Sequence, residues 1–92
     1  MYQKINICFI WARVISDIKF EFFYNNKIHD SIVEFAAQID GNCGSRKYKN
    51  QIIFCKAYDY IADEIYRKYK KESYIKIIGR ITNKYIEIIK VI

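Results

Sequence analysis

Residues 51–81, QIIFCKAYDYIADEIYRKYKKESYIKIIGRI, constrain the fold more than any other part of the chain. They read as a strand, one short amphipathic helix and a second strand. Across 51–58, Ile53, Cys55 and Ala57 alternate with Ile52, Phe54, Lys56 and Tyr58. A period of two sends these rows to opposite sides of a sheet. The first row is small and apolar, as the inside of a narrow barrel requires. The second sets aromatics around a lysine, which is foreign to a core and natural on a binding face. From 60 to 71 the period lengthens, and Ile61, Ile65 and Tyr69 form an i, i+4, i+8 stripe suited to closing a barrel's open end. Asp59 stands where an N-cap is expected. Asp63 and Glu64 fall early in the helix, and Arg67, Lys68, Lys70 and Lys71 late, which complements its dipole. The strand over 73–81 places Ile75, Ile77, Gly79 and Ile81 inward, with Tyr74, Lys76, Ile78 and Arg80 outward.

The remaining segments supply the other strands. Residues 2–15 form a β-prone run too apolar to alternate, as in a strand covered on both sides. Asp17 marks a bend, and KFEFFY at 19–24 continues the strand. Asn25-Asn26-Lys27 is a turn signal. Residues 31–39 put Val33, Phe35 and Ala37 on one face and Glu34, Ala36 and Gln38 on the other. DGNCGSRKYKN at 40–50 is a long loop, and 82–84 a tight turn into a last strand over 85–92. A length of 92 residues allows a single domain, 1–92, and 52% hydrophobic residues exclude intrinsic disorder. The expected fold is all-β: a five-stranded barrel of the oligonucleotide-binding (OB) type, with one α-helix between strands 3 and 4.

A formal net charge of +6 favours a polyanionic partner, either nucleic acid or an anionic membrane surface. The opening MYQKINICFIWARVI lacks a signal-peptide cleavage site, and Arg13 and Asp17 cut the apolar run too short to span a bilayer. Three cysteines, Cys8, Cys43 and Cys55, make an odd set without a leader, so the expected compartment is reducing: bacterial cytoplasm, or an organellar stroma or matrix of plastid type. Heavy use of Ile, Lys, Tyr and Asn, whose codons are A+T-rich, points to a low-G+C genome. Catalysis finds no support. The single histidine, His29, sits with Asp30 in a turn. Cys43 and Cys55 lack zinc-ligand spacing. GNCGSRK at 41–47 lacks the Gly-Lys-Ser/Thr ending of a phosphate loop. No catalytic residue, metal or cofactor is expected.

In order and spacing, these pieces resemble the bacterial-type single-stranded DNA-binding protein family. The resemblance rests on Asn6, the run ICFIW, Ala12-Arg13-Val14 and Asp17 in the first strand, and on VEFAAQI at 33–39. It continues with Tyr58, Asp59, Tyr60 and Ile61 leading into Ala62-Asp63, then with Lys71-Glu72-Ser73 and Gly79-Arg80-Ile81. Two family glycines are replaced, by Ala12 and Glu72. The family's acidic-tipped tail has no counterpart before Ile92, so the resemblance extends to the DNA-binding domain. In size the chain is similar to primosomal OB proteins and plastid-encoded members.

The resemblance implies stacking aromatics on strand 3 and near the strand 4–5 turn. Tyr58 matches one position and Tyr85 lies near another. Ile52 stands where an aromatic is expected, and Phe54, on the same face, takes its place. Tyr48 is the fourth stacking candidate. The phosphate candidates are Arg13, Arg46, Lys47, Lys49, Lys56, Lys76, Arg80 and Lys84, with Lys56 best placed between Phe54 and Tyr58. The implied partner is single-stranded DNA, with RNA not separable by sequence, and the implied state a homo-oligomer, dimer or tetramer. The first strand and residues 19–24 would form its interface, because open strand edges need cover. One alternative is an OB-fold protein–protein module, which the missing aromatic at Ile52 favours and for which Phe20, Phe22, Phe23 and Tyr24 would be the contact surface. The basic helix end at 67–71 is a weaker membrane-surface candidate, because no apolar anchor face accompanies it.

Overall fold

Alternation along the strands sets the architecture. In a computed structural model, which describes residues 6–23, 28–39 and 51–92, the elements are six strands and one helix. They are β1 (Ile7–Val14), β2 (Lys19–Phe22), β3 (Ser31–Ile39), β4 (Ile52–Tyr58), α1 (Asp59–Lys68), β5 (Tyr74–Ile81) and β6 (Ile86–Val91). Strands β1, β5, β6, β4 and β3 form a ring that closes where β1 pairs again with β3 at Ala12↔Ile39, Arg13↔Gln38 and Val14↔Ala37. All neighbours in the ring are antiparallel except β4 and β6. This is the expected five-stranded barrel, and α1 connects its third and fourth strands.

The short β2 lies outside the ring. It continues along the same edge of β3 that β1 occupies, pairing Lys19↔Glu34 through Phe22↔Ser31. The first strand and its continuation are thus one bent ribbon. At the bend the ladder is carried by Ile15 N–H to the Ala36 carbonyl (2.9 Å) and by Ala36 N–H to Ser16 Oγ (2.8 Å).

The core is the inward rows closing on the helix. Ile10, Ala12 and Val14 meet Val33, Phe35 and Ala37, then Cys55 and Ala57, Ile75 and Ile77, and Ile86 and Ile88. From α1, Ala62 and Ile65 seal the end, with Ile61 and Tyr69 packed partly against it. Each fully buried isoleucine, such as Ile65, Ile75 or Ile77, contributes about 1.5–3 kcal/mol through burial. Gly79 is required by packing: a Cβ there would strike Cγ2 of Ile86 across the β5–β6 pair.

Several expectations are corrected. The helix ends at Lys68 rather than at residue 71, so Lys70 and Lys71 lie in the following turn. That turn is fixed by Ser73 Oγ accepting from the Lys70 N–H and by Glu72 N–H donating to the Val14 carbonyl. Glu72, where the resemblance implies glycine, takes a left-handed φ of 81°. Asp59 is no side-chain cap. It is the first helical residue, with φ of 58°, and its carboxylate turns back toward β3. Ile81 is exposed rather than inward, because it lies at the barrel rim, beyond the last buried layer of β5. The last strand begins at Ile86, since Tyr85 belongs to the preceding turn.

Candidate nucleic-acid interface

The outward row of β4 holds together as a surface. Phe54 is 61% exposed and Ile52 53%, although both are large apolar side chains. Register sets Ala36 opposite Phe54, Glu34 opposite Lys56 and Ile32 opposite Tyr58. The small Ala36 leaves the Phe54 ring standing free of its neighbour. Two grooves flank that ring. One is lined by Ile52, Phe54, Thr82, Lys84 and Tyr85, and the other by Ser16, Asp17, Lys19, Glu34, Ala36 and Phe54.

Tyr85 reaches this surface because of the turn before it. Thr82 Oγ1 accepts from the N–H of Tyr85 (3.1 Å) and donates to its carbonyl (2.7 Å), a local side-chain turn that holds the residue against β4. Lys56 Nζ lies 4.6 Å from the centre of the Tyr85 ring and 3.7 Å from Glu34 Oε1. Burial first, then the neighbouring Tyr85 hydroxyl and the nearby Glu87 and Glu34 charges, push the Tyr58 phenol up to about 12. The structure therefore brings Phe54, Lys56 and Tyr58 onto one face, as the sequence suggests, and sets Lys84 and Tyr85 beside them.

The other candidates are placed differently. Arg80, on β5, lies 3.9 Å from Glu87 and lines a third groove with His29, Tyr58 and Tyr60. Lys76 lies on the outer face of β1 and β5, its Nζ 4.7 Å from the Trp11 ring centre. Arg13, on the same face, is tied to Glu72 Oε2 and to Gln38 Oε1 (3.2 Å), so its guanidinium helps hold the β1–β3 closure and the turn at Glu72. Arg46, Lys47, Tyr48 and Lys49 lie outside the described residues.

Sequence reasoning passed over two features of this surface. Lys19 lines a groove with Phe54, a proximity created by the bend at Ser16 and Asp17. His29 is stacked on Tyr58, with ring centres 4.1 Å apart and planes at 19°. Its Nδ1 is 2.9 Å from Asp59 Oδ2, and the Asp30 N–H donates to Asp59 Oδ1 at 2.7 Å. These hydrogen bonds, His29's first, hold the Asp59 carboxyl below its ordinary range. The one available signal was the 31–39 strand, whose start opposite the end of β4 places residue 29 beside Tyr58.

Among the described residues no group of three or more His, Cys, Asp or Glu could hold a metal ion. No helix of the described residues is long and apolar enough to cross a membrane. The buried Cys55 thiol is pushed up to about 12 by burial and by Cys8 beside it.

No family model and no curated protein matches the sequence. Solved structures do match the fold. The SSB domain of a protein from Synechococcus sp. aligns with a TM-score of 0.77 and 14% identity, over 99% of this chain and 98% of that one. The single-stranded DNA binding protein from Thermus aquaticus aligns with a TM-score of 0.72 and 12% identity, over 95% of this chain and 39% of that one. The small single-stranded DNA-binding protein from Streptomyces coelicolor gives 0.68 and 11%, over 99% and 90%. The chain therefore has the OB fold in the form found in single-stranded DNA-binding domains.

Proposed function

We propose that this protein binds single-stranded DNA without strong sequence preference, by stacking bases on exposed rings and pairing phosphates with lysines. The observation that carries the reading is the outward row of β4: an exposed Phe54, then Lys56 against the Tyr85 ring, then Tyr58 under the His29 ring. Stacking suits any base because every base has a π-face. Phe54 and Tyr85 stack bases directly, Tyr58 backs the His29 ring that lies on it, and Lys56 and Lys84 are the nearest phosphate partners. Arg80 and Lys76 serve a strand that continues around β5, and residues 46–49 extend the same basic, aromatic composition. The role is non-catalytic, in replication, repair or recombination, and the compartment a reducing one.

The same reading makes the protein a homo-oligomer. Among the described residues, β1 is paired only with β5 over residues 7–11, and β2 only with β3, and strand edges of this kind are closed by pairing with a second copy. Ile7 and Phe9 (63% exposed) add an apolar outer face beside the first edge. Sedimentation of the purified chain tests this, and a monomer at micromolar concentration would refute it.

The binding test is fluorescence anisotropy with a labelled dT oligonucleotide, competed with duplex DNA and with RNA. Preference for the single strand supports the function. Absence of binding at low salt would favour the protein-interaction alternative, with Phe22 and the β2 edge as its surface.

A further inference from the structure

We propose that His29 is itself a base-stacking residue: its imidazole forms the outer layer of a two-ring stack on Tyr58, against which a nucleobase of the bound strand packs. The inference rests on the single-strand binding reading and extends its surface past the end of β4. The ring is parallel to Tyr58 at 4.1 Å, the geometry of stacked aromatic layers. It is also pinned. Asp59 Oδ2 holds Nδ1, and the Asp30 N–H holds Asp59 in turn, so the ring is a fixed platform rather than a cover that swings aside. The His29 side chain remains 35% exposed and lines a groove with Tyr58, Tyr60 and Arg80. Tyr60 is 78% exposed there. The groove also contains the carboxylates of Asp59 and Glu87, and Glu87 is the acid nearest to the Arg80 guanidinium. The groove thus sets two carboxylates against one guanidinium, which suits an uncharged base better than a phosphate.

His29 is the only histidine in the sequence, so its ring protons give a unique NMR signal. Adding unlabelled dT oligonucleotide to the untagged protein should shift that signal upfield through the ring current of a stacked base. The shift should follow an isotherm with the same Kd as that read by anisotropy. Two variants separate stacking from the clamp. His29→Gln keeps a hydrogen bond to Asp59 and loses the ring, and should bind about fivefold to tenfold more weakly. His29→Phe keeps the ring, loses the hydrogen bond, and should bind within about twofold of the parent. An unmoved histidine signal in a protein that binds the oligonucleotide would overturn this inference alone. So would equal losses in the two variants. Failure of the parent to bind at low salt would overturn the functional reading and this inference together.

Discussion

Phe54→Ala separates binding from folding better than any other substitution on this surface. The ring is 61% exposed, so about two-fifths of its surface contributes to the fold. Full burial of a phenylalanine is worth about 1.5–3 kcal/mol, which puts the stability cost of truncation at about 0.6–1.2 kcal/mol. In a domain of this size that lowers the melting temperature by about 2–10 °C and leaves the protein folded at 25 °C. A stacked base, by contrast, is worth about 1–3 kcal/mol, or about 5-fold to 150-fold in Kd. Tyr58→Ala gives no such separation, because it also removes the ring on which His29 is stacked. Anisotropy with a labelled dT oligonucleotide reads the binding loss, and a circular-dichroism melt reads the fold. Phe54→Leu, which keeps apolar area without a ring, should behave like alanine in binding. A Phe54→Ala protein that melts cooperatively and binds as tightly as the parent would refute the stacking argument.

The remaining predictions concern the scaffold. Gly79→Ala should cost about 1–3 kcal/mol, read by urea denaturation, because Ile86 and the Glu87 carbonyl occupy the space a methyl needs; an unchanged midpoint would count against the β5–β6 packing. The Asp59 carboxyl is held low in the folded state, so its contribution is complete above its ordinary value near pH 4 and is lost as pH falls through the folded value. Asp59→Asn should therefore flatten the acid limb of a stability-against-pH curve, and superimposable limbs would refute the pairing with His29. The raised Tyr58 phenol costs stability as pH climbs from about 10 toward about 12, and Tyr85→Phe should bring its ionisation, followed by carbon NMR, back toward the ordinary value. Cys55 should resist thiol reagents in the folded protein and react on unfolding, since burial raises its thiol to about 12.

The faces of β3 and β4 were legible because a period of two is unambiguous when one row is Val33, Phe35 and Ala37, or Ile53, Cys55 and Ala57. Position and type of the helix were equally clear from the stripe of Ile61 and Ile65. Its end was not. Lys70 and Lys71 are good helix formers, and the helix stops at Lys68 because the following turn is bonded to Val14 and closed on itself through Ser73. The role of Asp59 was misread for a similar reason. Local pattern marks an N-cap, while the partners that claim its carboxylate, His29 and Asp30, are distant in sequence. Of the proposed surface, the β4 row could be read by parity, and the closeness of Lys56 to Tyr85 could not, because it depends on the parallel pairing of β4 with β6. Arg13 illustrates the converse: a basic residue on an outward row whose charge is spent on Glu72.

The central claim is that this barrel binds a single strand through phosphates as well as bases, and the salt dependence of the Kd for a dT oligonucleotide tests it most directly. Each neutralised phosphate on a single strand contributes about −0.7 to the slope of log affinity against log salt. Engagement of Lys56 and Lys84 alone predicts a slope of about −1.4, steeper if Lys76 and Arg80 also take part. Measurable binding with such a slope is the predicted result. A flat salt response, or no binding at the lowest salt, would contradict it.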